Sequence, residues 1–218
     1  MQYTLSQFLF LIEAVIFASV IFMHLSKRSS SVIKLYMLQS VMVALLLFLS
    51  GLARIDVSLW LVVFLILAVK AVIAPYFFFG LLKKSHLKFN VSSYVNTPLT
   101  LVVLTILTVA TNANFLKPLA TLSSGDKNSL MLAVSAVLIS LFLIINKRGA
   151  LSQMIGILSL ENGIVSFAAF AGLEQTAGLE AGIIFDILMW VVIATVFASM
   201  IYKQFGTLDA SSMKHLTE

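Results

Sequence analysis

No cysteine occurs among the 218 residues, which excludes a disulfide framework, a thiolate-ligated cluster and a cysteine nucleophile. Histidine is nearly as scarce. His24, His86 and His215 each fall near a predicted helix end or in the tail, and their spacing suggests no metal site. Charged residues make up 11% of the chain and hydrophobic residues 61%, with mean hydropathy +1.08, whereas charged residues approach about a quarter of an ordinary soluble domain. A soluble domain is therefore excluded. No Gly-rich phosphate loop appears, and no connection is long enough to hold a nucleotide. Redox chemistry within this chain is not expected. The alternating pattern of an outer-membrane barrel is also missing.

What is present is a series of apolar runs. Seven can be drawn, at residues 5–25, 32–52, 58–82, 97–116, 129–145, 150–171 and 178–202, each about a bilayer long. The fold class expected is all-α, a polytopic membrane protein of seven transmembrane helices. The first run does not read as a cleaved signal peptide, because MQYTLSQ has no basic residue and the apolar core is too long. Thr97 and Pro98 open the fourth run as N-cap and first-turn proline.

The formal net charge of +5 resembles a nucleic-acid cue, but position overrides it. Lys27, Arg28, Lys83, Lys84, Lys88, Lys147, Arg148, Lys203 and Lys214 follow odd-numbered runs or lie in the tail, while Arg54, Lys117 and Lys127 lie on the opposite side. By the positive-inside rule the N-terminus is outside and the C-terminus cytoplasmic. The basic stretch from Lys83 to Lys88, with His86, reads as a membrane-surface patch. No nucleic-acid partner is expected.

The informative residues are the charges inside the runs. Glu161 lies near the middle of LSQMIGILSLENGIVSFAAFAG. At about 1.5 Å per residue that run matches the roughly 30 Å hydrocarbon core, so its carboxyl is a functional-site candidate. The structural alternative is a protonated carboxyl acting as glue between helices. Lys70 occupies the centre of the third run, with apolar helical neighbours Ile66, Leu67, Ile73 and Ala74. It requires a partner on another helix or in a water-filled cavity. A desolvated lysine and a desolvated carboxyl can exchange a proton at modest cost. In α-helical register, Pro75 leaves the carbonyl of Ala71 without a donor.

Asp186 recurs at four-residue spacing with Gly178 and Gly182, in register with a small-residue face, so it is expected to point at another helix. Gly156 and Gly163 predict close approach of a neighbour to the sixth helix. Glu13 is the remaining deep carboxylate, with a structural reading as open as a functional one, and Glu180 lies nearer an interface. Lys34 is expected to snorkel. Gln39 and Gln153 are polar enough to join a network. Left unpaired, the deep charges would together cost on the order of 10 kcal/mol. A connected polar path is expected instead, of the kind that proton relays use.

The last three runs, residues 129–202, resemble the three-helix K subunit of respiratory complex I, with Glu161 in GILSLENGI matching the mid-membrane acid. Asp186 in GIIFDILMWVV is a looser match for a second, with the shorter aspartate where glutamate is the pattern. The whole chain, with four further helices ahead and Lys70 in AVKAVIAPYF, is similar to the hydrogenase-4 component E type of membrane subunit of energy-converting hydrogenases. The division implied is an N-terminal four-helix part, residues 1–128, and a C-terminal part, residues 129–218. The resemblance implies a non-catalytic subunit in a prokaryotic inner membrane. It would lie between antiporter-like proton-pumping subunits and a peripheral arm holding nickel-iron and iron-sulfur centres, with no cofactor of its own. The proton path expected is Glu161, Lys70, Asp186 and, more weakly matched, Glu13. The alternatives are a subunit of a multisubunit cation/proton antiporter, whose small subunits are usually much shorter, and a scaffold bundle that conducts nothing.

Overall fold

The computed structural model describes residues 2–51, 57–84, 91–111, 113, 117–121 and 126–172, with single positions between 188 and 203. Nearly all of the described residues are helical. The long apolar runs have no water to satisfy their backbone groups in a bilayer, and a helix satisfies them internally. The elements are α1 (Gln2–Leu25), α2 (Ser29–Gly51), α3 (Val57–Ile66), a π-helical segment (Leu67–Ile73), α4 (Ala74–Lys84), α5 (Thr97–Ala110), a short α6 (Lys117–Ala120), α7 (Lys127–Asn146) and α8 (Ala150–Phe170).

Five stretches among the described residues are long and apolar enough to cross a membrane: Leu5–Leu25, Ser29–Gly51, Val63–Lys83, Lys127–Asn146 and Ala150–Phe170. The fourth expected span is shorter than the sequence indicated. Its helix, α5, runs for 14 residues and ends at Ala110. Its cap also differs: the side chain of Asn96 accepts from Leu99 N–H at 3.0 Å, which makes Asn96 the N-cap and puts Thr97 and Pro98 in the first turn. The seventh expected span, and with it Asp186 and Glu180, lies largely outside the described residues. Leu188 is described, and packs against Ala44, Leu47, Val63, Ile66 and Val69 of α2, α3 and the π segment.

The bundle carries large apolar side chains on its outside and buries a set of polar and charged ones within an otherwise apolar interior. Phe22, Phe64, Val72, Ile106, Val109 and Ile145 are all more than half exposed, a lipid-facing surface. Two apolar clusters fill the interior at its two ends. One joins Met23, Tyr36, Phe78, Leu143 and Ile155 from α1, α2, α4, α7 and α8. The other joins Ile12, Val43, Leu46, Leu130 and Phe170. Between them lies a polar layer at mid-helix.

α7 and α8 form an antiparallel hairpin joined by residues 147–149. Asp126 caps α7 by accepting from Asn128 N–H and Ser129 N–H, and Gly172, at φ 65°, closes α8 in the left-handed conformation open to glycine. The two helices touch through glycine, as the spacing of Gly156 and Gly163 predicts. A methyl group on Gly163 would lie 3.2 Å from Val137 Cγ2 and 3.3 Å from Val137 N, and one on Gly156 would lie 2.9 Å from Ile144 Cγ1. Gly163→Ala is therefore expected to force the helices apart at a cost of about 1–3 kcal/mol. The check is the thermal unfolding midpoint in detergent, which should fall; an unchanged midpoint would mean that α7 yields freely.

Candidate functional site

The site begins at the π-helical segment. In Leu67–Ile73 the backbone takes a wider turn, and Ala74 N–H donates to Val69 O, five residues back. Lys70 is the central residue of this segment. In i→i+5 pairing Pro75, which has no N–H, cannot serve the carbonyl of Lys70, just as it cannot serve that of Ala71 in α-helical pairing.

The partner that Lys70 needs lies on α8. Lys70 Nζ is 2.8 Å from Glu161 Oε1, with the lysine side chain 1% exposed and the glutamate 19%. Lys70 Nζ also donates to Asn162 Oδ1 at 3.1 Å. Asn162 in turn donates through Nδ2 to Gln39 Oε1 at 3.3 Å and to Ser40 Oγ at 3.1 Å. The orientation of the Asn162 amide is fixed by this arrangement, since the flipped amide would set an NH2 group against an ammonium. Three segments of the chain, α2, the π segment and α8, meet at this one amide.

Glu161 is not on the buried face of its own helix. That face is Ser159, Asn162, Gly163 and Ser166, all buried, while Ile157 on the Glu161 side is exposed. Each polar member of the buried face has a partner on a different element. Ser159 Oγ meets Ser140 Oγ of α7 at 3.1 Å, Asn162 holds Lys70 and α2, and Ser166 Oγ donates to Glu13 Oε2 of α1. Glu13 is fully buried, and its second oxygen, Oε1, has no hydrogen-bond partner among the described residues. The polar stripe spans about 10 Å along α8, taking the helical rise from Ser159 to Ser166. Of the residues named from sequence, the structure joins Lys70 to Glu161 directly and places Glu13 one turn along the same stripe, and Gln39 enters the network. Gln153 does not; it donates to Lys147 O at 2.9 Å and braces the hairpin loop. Ser159, Asn162 and Ser166 were missed. Their three- and four-residue spacing in an otherwise apolar helix is the signal that finds them. No group of histidine, aspartate and glutamate among the described residues is placed to hold a metal ion.

At one end of the bundle, residues 91–96 are strapped across the hairpin loop. Tyr94 N–H donates to Asn146 O, Arg148 N–H donates to Ser92 O, and the Arg148 guanidinium lies 4.6 Å over the Tyr94 ring. Beneath the strap Lys147 is buried, its Nζ donating to His24 O at 2.9 Å and to Ser93 Oγ at 3.2 Å. Burial lowers its ammonium from 10.5 to about 8. Because the unfolded lysine holds its proton to higher pH than the folded one, stability rises with pH between about 8 and 10.5 and the penalty is fully present below 8. Thermal midpoints of the native protein and Lys147→Met measured across that window should converge as pH rises or cross in favour of the native chain; parallel curves would contradict the burial of the charge.

No protein-family model matches the chain, and no solved structure matches it. Among curated proteins it is similar to the uncharacterised protein Rv0085 of Mycobacterium tuberculosis, 26% identical over 190 residues that cover 86% of each chain. It is also similar to hydrogenase-4 component E of Escherichia coli K12, 28% identical over 95 residues, and the chain spans 44% of that protein's length. The corresponding component of Shigella flexneri matches to the same extent. The bundle has the composition and the helices of a membrane protein, with a lysine and a glutamate paired inside it.

Proposed function

We propose that this chain is a non-catalytic membrane subunit of a hydrogenase-related complex, and that Lys70 and Glu161 carry protons through it, coupled to electron transfer in partner subunits. The observation that carries the reading is the 2.8 Å pair of Lys70 and Glu161 within an apolar bundle. Such intramembrane charges are costly to keep and are typically retained for ion or proton movement. Similarity to hydrogenase-4 component E supports the class of complex. In this reading a proton reaching Glu161, the more exposed member, neutralises it and loosens the pair. Lys70, held by Asn162, is the inner store, and Glu13 with Ser166 extends the line along α8. Asp186 is the candidate for a further hand-over. Nickel-iron and iron-sulfur centres belong to the partners, with antiporter-like membrane subunits and a peripheral arm, in a prokaryotic inner membrane with the N-terminus outside.

A second reading rests on the same pair. Its cross-links between α2, the π segment and α8 are also what a scaffold would use, and proton movement then passes elsewhere. The test is gentle purification of a tagged copy from its native membrane, with mass spectrometric identification of what accompanies it. Antiporter-like subunits together with iron-sulfur and nickel-iron-type partners are expected. Antiporter-like subunits alone would replace the proposal with a cation/proton antiporter, and recovery of the chain by itself would overturn it.

A further inference from the structure

Lys70 has more donors than the described residues have acceptors for it. An ammonium carries three N–H groups, and Lys70 Nζ meets two acceptors, Glu161 Oε1 at 2.8 Å and Asn162 Oδ1 at 3.1 Å. The lysine side chain is 1% exposed, so bulk solvent does not take the third. The same layer holds other polar atoms in excess. Gln39 is fully buried, and its Nε2 has no hydrogen-bond partner among the described residues. Its amide cannot be reversed, because Gln39 Oε1 accepts from Asn162 Nδ2 at 3.3 Å and reversal would set two NH2 groups together. Tyr36 is fully buried as well. Its hydroxyl lies near Ser40 and within electrostatic range of Glu161, and has no hydrogen-bond partner among the described residues. Such unpartnered buried atoms are uncommon inside proteins.

Helical spacing brings these atoms together. Tyr36, Gln39 and Ser40 stand at i, i+3 and i+4 on α2, which is one face of that helix, and Gln39 and Ser40 both receive Asn162 Nδ2. Asn162 offers its oxygen to Lys70. The chemistry of the unpartnered atoms then selects what can join them. A metal cation is repelled by the Lys70 ammonium and by the Gln39 NH2, and an anion is repelled by the Glu161 carboxylate. Water suits all four groups. Its oxygen accepts from Lys70 Nζ and Gln39 Nε2, and its hydrogens go to the Tyr36 oxygen and to Glu161 Oε1, which has no further partner beside Lys70. Buried water in proteins typically makes about three such bonds.

We propose that Tyr36 and Gln39 hold bound water against Lys70, and that this water solvates the ammonium while Glu161 is protonated. The solvating role rests on the proton-conducting reading of Lys70 and Glu161. When a proton neutralises Glu161, Lys70 keeps its charge and loses its counter-charge. Asn162 Oδ1 and the water oxygen remain as its acceptors. The Tyr36 oxygen, by accepting a hydrogen from the water, makes the water oxygen a stronger acceptor. Glu161 can then load and unload its proton without leaving a bare ammonium in an apolar interior. Tyr36 and Gln39 act through the water and are positioning residues.

The first measurement is solid-state NMR of the full-length chain in lipid nanodiscs with isotope-labelled lysine, read for magnetisation transfer from water to the Lys70 ammonium. The Lys70 signal is assigned by its absence from Lys70→Arg. Transfer is expected in the native chain, and should fall several-fold in Tyr36→Phe and in Gln39→Leu. The second is proton movement by the whole complex in native membrane vesicles, with an entrapped pH-sensitive dye. Both variants should lower it about tenfold, the effect of losing one hydrogen bond to a charged group, while the subunits still co-purify. Tyr36→Phe removes one oxygen and keeps the ring that packs with Met23 and Phe78, so it decides the matter if Gln39→Leu does not assemble. Absence of transfer in the native chain overturns the water site. Transfer unchanged in Tyr36→Phe overturns the residues assigned to hold it. Native proton movement in a Tyr36→Phe that has lost the transfer, with loss in Glu161→Gln, overturns the solvating role and leaves the charged pair as conductor. Native movement in Glu161→Gln overturns the proton-conducting reading and the solvating role with it, and the water site is then decided by the transfer alone.

Discussion

Replacing Glu161 by glutamine should reduce coupled proton movement about a hundredfold or to background, while leaving the chain assembled with its partners. Glutamine keeps the size of the side chain and an oxygen that can accept from Lys70 Nζ, which stands 2.8 Å from Glu161 Oε1. It removes the capacity to hold and release a proton. The contacts of Asn162 with Gln39, Ser40 and Lys70 do not pass through Glu161, so the junction of α2, the π segment and α8 survives the change. Proton release by vesicles and co-purification, measured on the same preparation, give the result. Unchanged coupling with the subunit in place would reduce the pair to a structural role.

Lys70→Met should have the larger effect on stability. It leaves Glu161 without its counter-charge and Asn162 Oδ1 without its donor, and breaking a buried pair from one side costs about 3–5 kcal/mol. The double variant Lys70→Met with Glu161→Gln removes both charges together and should recover a large part of that loss, because methionine packs well in an apolar interior. Thermal midpoints of the two single variants and the double variant in detergent complete the cycle. If the double variant is as unstable as the sum of the singles, the two side chains are not coupled and the pair contributes nothing beyond its separate parts. Coupled activity should be lost in all three, since neither methionine nor glutamine titrates.

The charges themselves were legible along the chain, because a lysine or a glutamate in the middle of a twenty-residue apolar run has no partner within its own helix. The approach of α7 to α8 was legible in Gly156 and Gly163 for a related reason: a missing side chain marks a surface that a neighbour can reach. Asn162 was not. An asparagine beside a glutamate reads as a flanking residue until three elements converge on its amide. Nor did the sequence place Ser140 opposite Ser159, since hydroxyls are tolerated at many helix positions and only the packing of α7 on α8 makes these two meet. The first turn of α5 illustrates the limit at smaller scale. Asn96, Thr97 and Pro98 all suit a helix start, and the direction of the Asn96 side chain decides among them.

By itself the sequence determined the membrane class, the all-helical character and the presence of costly charges, because each follows from the free energy of transferring a residue into lipid, a property of the residue and its near neighbours along the chain. Tertiary structure decided which charge meets which, that α8 turns its polar flank inward and Glu161 to the edge, and that Lys70 sits in a π turn. Those outcomes depend on how helices cross and on a change of backbone register. Neither is encoded in the hydropathy of any single run.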